Sequence, residues 1–275
     1  MTLRITADEE RSVGRRTAAK NTALWILAGL ISIGSAVHQR MTGPTYAARG
    51  KATIGAETVS YRLPRNEETV RDCEVKVKIP DPAVSGRLEF KILGSPDRPL
   101  FLPMERRGDL LLGPLPKQPP AGKLEYRVLL SKDGRETSLT GEKPLTIRFK
   151  GVVPAFILTP HILIMFLGMI FAAKAGLEAV VRGGRPRKPA LWAFGLLFTG
   201  GMILGPVVQK LAFGDFWTGF PFGHDLTDNK ALFSIALWIA ALVAGGKGRP
   251  ARGWILAAAI VTLAAYLIPH SLLGS

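Results

Sequence analysis

Two hydrophobic patterns divide the chain. Between Lys51 and Lys150, apolar and polar residues alternate at period two in short runs: 58–62 (TVSYR), 73–79 (CEVKVKI), 86–92 (GRLEFKI), 123–129 (KLEYRVL) and 145–149 (LTIRF). Successive side chains of an extended strand point to opposite faces, so this alternation predicts strands with one face buried and one wet. Pro80-Asp81-Pro82, Ser95-Pro96-Asp97, Pro119-Pro120 and Asp133-Gly134 punctuate the runs as turns. Strands and turns at this density predict a two-sheet antiparallel sandwich of about seven strands.

Elsewhere the apolar positions do not alternate. The runs 23–37, 152–173, 189–208, 231–246 and 253–269 contain no Asp, Glu, Lys or Arg. A helix of about 20 residues, rising 1.5 Å per residue, crosses a ~30 Å hydrocarbon layer, so these runs predict five membrane spans. The predicted architecture is an integral membrane α-helical bundle of five spans with an inserted, exported all-β sandwich domain. Its parts are a basic cytoplasmic tail (1–21), a first span (22–38), the exported sandwich (39–151) and a four-helix membrane domain (152–275) with an outer loop (209–230) that packs under the sandwich. The basic-then-apolar start fits a cleaved signal peptide or an uncleaved signal anchor. The long tail ahead of it, and the return of the chain to the membrane, favour the anchor.

Within 51–150, the proline-rich turn Pro116-Lys117-Gln118-Pro119-Pro120-Ala121-Gly122 feeds a strand, 123–129, with Tyr126 at its centre. On these residues the segment, about a third of the chain, resembles an immunoglobulin-like or fibronectin-III-like module. Such modules mostly bind or space, so the resemblance implies a binding role and no catalytic residues. No family is recognised for the chain as a whole.

Composition sharpens the picture at two points. Mean hydropathy is +0.21 with 47% hydrophobic residues, yet the net charge is +15. The excess lies beside apolar runs: segments 1–21, 174–188 and 247–252 hold thirteen Lys and Arg, against only Lys210 and Lys230 in 209–230. That bias marks the cytoplasmic side of a plasma (inner) membrane protein and leaves the C-terminus outside, as are 39–151 and 209–230. It also accounts for the charge without nucleic acid, for which no motif is present. The single cysteine, Cys73, allows no intrachain disulfide and no CxxC motif, and reads as a buried strand residue.

Candidate chemistry concentrates in the stretch 204–230 (LGPVVQKLAFGDFWTGFPFGHDLTDNK) and in the histidines. With this topology His38, His161, His224 and His270 all fall toward the outer face. Imidazoles bind zinc, copper or haem iron, and Asp215, Asp225 and Asp228 could complete a site holding haem or a divalent metal, although no fixed ligand spacing is present. His161 is the one ionisable side chain well inside an apolar run. The functional reading makes it a ligand, proton relay or quinone contact; the plain reading makes it a neutral imidazole hydrogen-bonded to a neighbouring helix. Pro160 before it frees the Phe156 carbonyl.

In the loop, Phe213, Phe216, Trp217, Phe220 and Phe222 suit a headgroup-level aromatic layer. Asp225 or Thr227 is placed to cap the following helix, with Asp228 in its first turn. The alternative is a re-entrant lid over His161, His224 and Asp225. Gln209 and Lys210 meet the outer interface, beyond a Gly201–Gly205 small-residue pair suited to close helix packing. No phosphate loop, nucleophile elbow or dinucleotide fingerprint occurs.

The expected function is therefore an accessory or assembly subunit, leaning non-enzymatic, whose partners are the bilayer and an exported or membrane protein. The alternatives are a membrane redox or metal- or haem-binding protein and an oligomeric transporter component.

Overall fold

A computed structural model describes residues 7–43, 46–55, 57–246 and 251–268. The chain divides into two compact units: a helical one (1–42, 155–207 and 217–275) and a β-rich one (43–154 with 208–216).

Four helices are long and apolar enough to cross a membrane: Thr17–Thr42, Ala155–Val180, Arg187–Phe213 and Leu226–Ala244. The first is the apolar part of α1 (Ala7–Thr42) and the second is α2 (Ala155–Val180). The third is continuous but composite. It consists of α3 (Arg187–Phe198), a π-helical turn (Thr199–Leu204) and α4 (Gly205–Phe213). The fourth is α5 (Leu226–Ala244). The fifth predicted span coincides with α6 (Arg252–Leu267), which at sixteen residues is shorter than the others.

Helix ends differ from the apolar runs because charged and aromatic residues continue the helices. α2 runs past Ala173 through Lys174 and Glu178, and 209–213, expected as the start of the outer loop, is helical. α2 is central, packing on α1, α3 and α6, while α5 packs on α3 and α6. The contacts use small residues, as expected where dispersion and close approach hold apolar helices together. Ala28, Ser32 and Ser35, at i, i+4 and i+7, form the buried stripe of α1. Ala172, Ala175, Ala190, Ala193 and Ala258 are buried between helices. A Cβ at Gly176 would stand 2.7 Å from the Ala259 Cβ, so only glycine lets α2 approach α6 this closely.

The β unit holds eleven strands among the described residues. β1 (Ala48–Ile54) and β2 (Glu57–Leu63) form a hairpin. One sheet has the order β3 (Asn66–Glu68), β11 (Leu145–Lys150), β9 (Lys123–Lys132), β5 (Ser85–Ile92) and β6 (Leu100–Pro103), with β10 (Arg135–Ser138) also on β9. The other has the order β4 (Cys73–Lys78), β8 (Leu110–Leu115) and β7 (Glu105–Arg107). All pairings are antiparallel except β3 with β11. Alternation becomes burial as expected. In β4, Cys73, Val75 and Val77 are buried and Glu74, Lys76 and Lys78 exposed. Those three join Leu88, Phe90, Leu115, Val128, Ile147 and Phe149 in one core shared by both sheets.

Candidate functional site

His161 stands one residue after Pro160 in α2 and is half-buried. Its Nδ1 lies 3.0 Å from the Gly200 carbonyl oxygen. A carbonyl can only accept, so Nδ1 carries the proton and donates, which leaves the lone pair on Nε2. The accepting carbonyl belongs to the π turn, where Gly205 N–H also bonds Gly200 O. Local sequence explains that turn. Pro206 has no N–H for the Met202 carbonyl, and its ring would crowd that carbonyl in a regular helix. Widening to i→i+5 bonds relieves the crowding, and Gly200 and Gly201 tolerate the distortion. The imidazole therefore ties α2 to the irregular turn of the third apolar helix. That is the plain reading of His161.

A second polar network lies deeper in the unit. Thr262 Oγ1 on α6 donates to Ala258 O at 2.8 Å, accepts from Trp238 Nε1 at 2.9 Å and lies 2.8 Å from Ser234 Oγ. All three side chains are buried. The Tyr266 hydroxyl donates to Met165 O at 2.9 Å, joining α6 to α2.

The loop after α4 folds onto the start of α5. Asp225 is the N-cap residue: its Oδ1 accepts from Thr227 N–H (2.7 Å) and Asp228 N–H (3.0 Å). Buried Asp228 accepts from Thr218 N–H (2.6 Å), Gly219 N–H (2.9 Å) and the Thr218 hydroxyl (3.3 Å). Asn229 Oδ1 accepts from Phe220 N–H at 2.7 Å, and Trp217 Nε1 donates to Phe220 O at 3.0 Å. A Cβ at Gly219 would fall 2.5 Å from the Asp228 Cβ, so glycine is needed for this fold-back. Phe216, Phe220 and Phe222 remain exposed. Of the other expected site residues, Asp215, His224 and His38 are exposed, Gln209 is half-buried, and the Lys210 ammonium donates to Gly214 O and lies near the Phe216 ring. His270 lies outside the described residues. Among the described residues no group of three or more His, Cys, Asp and Glu is placed to hold a metal ion. Two of the aspartates expected to complete such a site, Asp225 and Asp228, accept from backbone amides.

A further cluster was not singled out from sequence. Lys174 and Glu178, one turn apart on α2, are both buried and form an ion pair. Lys174 Nζ also donates to Asn21 Oδ1 of α1 at 3.0 Å and lies 5.3 Å from the Trp25 ring centroid. Glu178 Oε2 accepts from Arg185 N–H at 2.9 Å. Arg252, the first residue of α6, donates Nη1 to the carbonyls of Glu178, Ala179 and Val181 and Nη2 to that of Gly184, at 2.6–3.2 Å. A guanidinium on the last carbonyls of α2 satisfies acceptors that the helix itself leaves unpaired. Lys20 Nζ donates to Arg182 O at 2.7 Å. The cluster thus joins α1, α2, the turn after α2 and α6. The readable signal was the i, i+4 spacing of Lys174 and Glu178 within AAKAGLEAV.

In the β unit, Cys73 is buried against Glu67. Burial, then the neighbouring Glu67 carboxylate, push its thiol up to about 12. Lys123 is held below the ordinary lysine range by burial and then by nearby Arg148. The Arg148 guanidinium lies 4.0 Å from the Phe213 ring centroid, and Gly151 N–H donates to Ala212 O at 2.8 Å. No protein-family model matches the chain, and no curated protein is similar to it in sequence.

Proposed function

We propose that this chain is a polytopic membrane protein that presents an exported immunoglobulin-like sandwich to a partner protein, as an accessory or assembly subunit does. One observation carries the reading: a β unit with a core of its own is inserted between helices long and apolar enough to cross a membrane. Its strand order supports the immunoglobulin-like assignment. The order β4-β8-β7 opposite β6-β5-β9-β11 corresponds to B-E-D opposite C′-C-F-G in variable-type domains. The side-chain chemistry described above holds helices and loops together, which suits a scaffold.

In this reading the N-terminus is cytoplasmic, α6 is the fifth span, and 39–151, 209–230 and the C-terminus are outside the plasma membrane. The basic segments beside the apolar helices support that orientation. The partner is tested by tagging the full-length protein, extracting its native membranes in mild detergent and purifying it. A co-purifying protein at constant stoichiometry is expected. Recovery of the chain alone refutes the accessory role. Orientation is tested separately with a reporter fused after Arg252, which is expected to act only in the cytoplasm.

A further inference from the structure

We propose that one end of the β unit, the end from which the chain leaves for α2, inserts apolar side chains into the headgroup layer of a phospholipid bilayer. The proposal rests on the membrane reading of the helices above and adds a lipid-contacting surface to it.

Strand register defines that end. β11 finishes at Lys150, and four residues, at most about 14 Å when extended, separate it from Ala155, the first residue of α2. Arg148 pairs with Lys123, so β9 starts at this end; Leu124 pairs with Ile92, so β5 finishes there. Leu100 pairs with Phe90, so β6 starts there, and Lys150 pairs with Glu68, so β3 finishes there.

Among the described residues of 43–154, seven large apolar side chains are exposed, and six belong to this end. Ile92 (55%), Leu93 (40%), Leu100 (62%) and Phe101 (51%) flank the β5–β6 turn; Val70 (60%) follows β3 and Val152 (48%) follows β11. The seventh, Leu110, pairs with Lys78 at the opposite end of β4. Isolated exposed apolar residues on a soluble surface need no explanation, but a one-ended concentration marks a contact surface. The adjoining Arg98, exposed, and Lys150, half-buried, fit the same occupant. Long basic side chains lay their methylenes along apolar surface and keep their charge at headgroup level. The occupant is lipid because this end is tethered by four residues to a helix suited to cross a bilayer.

The test uses the full-length protein in phosphatidylcholine nanodiscs, with an environment-sensitive fluorophore on Leu93→Cys, Phe101→Cys, Leu110→Cys or Leu163→Cys. Native Cys73 is buried, and the unsubstituted chain reports its background. Nitroxide lipids quench at headgroup or mid-bilayer depth. Headgroup-level nitroxide is expected to quench, and lipid to blue-shift, the probes at 93 and 101 but not at 110. Mid-bilayer nitroxide is expected to quench the probe at 163 on α2. If 163 is quenched while 93 and 101 behave like 110, the lipid-contacting surface is refuted and the membrane reading stands. If 163 is not quenched either, both fall. If 93 and 101 are protected in native membranes but not in pure lipid, a protein covers this end and the proposal is overturned.

Discussion

Replacing Lys174 with Met removes one partner of the buried Lys174–Glu178 pair while filling its volume with apolar atoms. Removing one member of a buried ion pair typically destabilises by about 3–5 kcal/mol, because the remaining charge is left uncompensated. Two features lower that figure here. The Glu178 side chain is 11% exposed, against 2% for Lys174, and it keeps the Arg185 amide as a donor. A ceiling also exists. Protonating an ordinary glutamate at pH 7 takes about 2.7 × 1.36, or ~3.7 kcal/mol, and the orphaned carboxyl cannot be worse off than that. The expected loss is therefore about 2–4 kcal/mol. The double variant Lys174→Met with Glu178→Gln leaves no orphaned charge and is expected within about 1 kcal/mol of the parent chain. Reversible titration with dodecyl sulfate in mixed micelles, followed by tryptophan emission, measures both. A single variant within about 1 kcal/mol of the parent, or a double variant as unstable as the single one, would refute a dry, mutually dependent pair.

Other substitutions probe the remaining networks. Thr262→Val keeps shape but removes the acceptor of Trp238 Nε1. A buried donor left unsatisfied costs about 1–3 kcal/mol, readable in the same titration. Asp228→Ala strips the acceptor from the Thr218 and Gly219 amides, so protease cleavage within 217–225 should accelerate strongly; Asp225→Ala, losing a cap worth about 1 kcal/mol, should act more weakly. Unchanged cleavage in Asp228→Ala would rule out that anchoring. Cys73 has its folded pKa raised from 9.0 to about 12 by burial. Its neutral thiol therefore favours the folded state fully below pH 9, and that contribution is lost as pH rises from about 9 toward 12. Maleimide should leave Cys73 unmodified in the folded protein at pH 8 and label it on unfolding; rapid labelling of folded protein contradicts this burial.

Much of the fold was legible locally because period and burial are coupled within a single element. Each of the five alternating runs falls on a strand: 73–78 of the run 73–79 in β4, 86–92 in β5, 123–129 in β9, 145–149 in β11 and 58–62 in β2. Among the strands not anticipated, β1 (ARGKATI) alternates, but with small Ala and Gly on its inner face; others lack alternation. β8 reads LLLGPL with only Leu110 and Pro114 exposed, and β6 and β7 are short edge segments whose only signal is their partner. The cap of α5 was legible as Asp225 or Thr227, because capping depends on residues two and three positions away, and the structure assigns it to Asp225.

What the sequence determined by itself is the segregation of the chain: uncharged runs that become helices, an alternating region that becomes sheets, and a basic bias beside the runs. Each follows from neighbours within one helix turn or one strand. Tertiary structure alone decided what the polar residues near those boundaries do. Lys174 and Glu178 read as the end of an apolar run until Asn21, 153 residues before Lys174, accepts from the ammonium and the Arg185 amide, seven residues on, donates to the carboxylate. His161 likewise meets a partner 39 residues along the chain, the Gly200 carbonyl of the π turn, which its own neighbours do not announce. A buried polar group is stable only with a partner, and partners brought together by folding from distant segments leave no periodic trace in the chain.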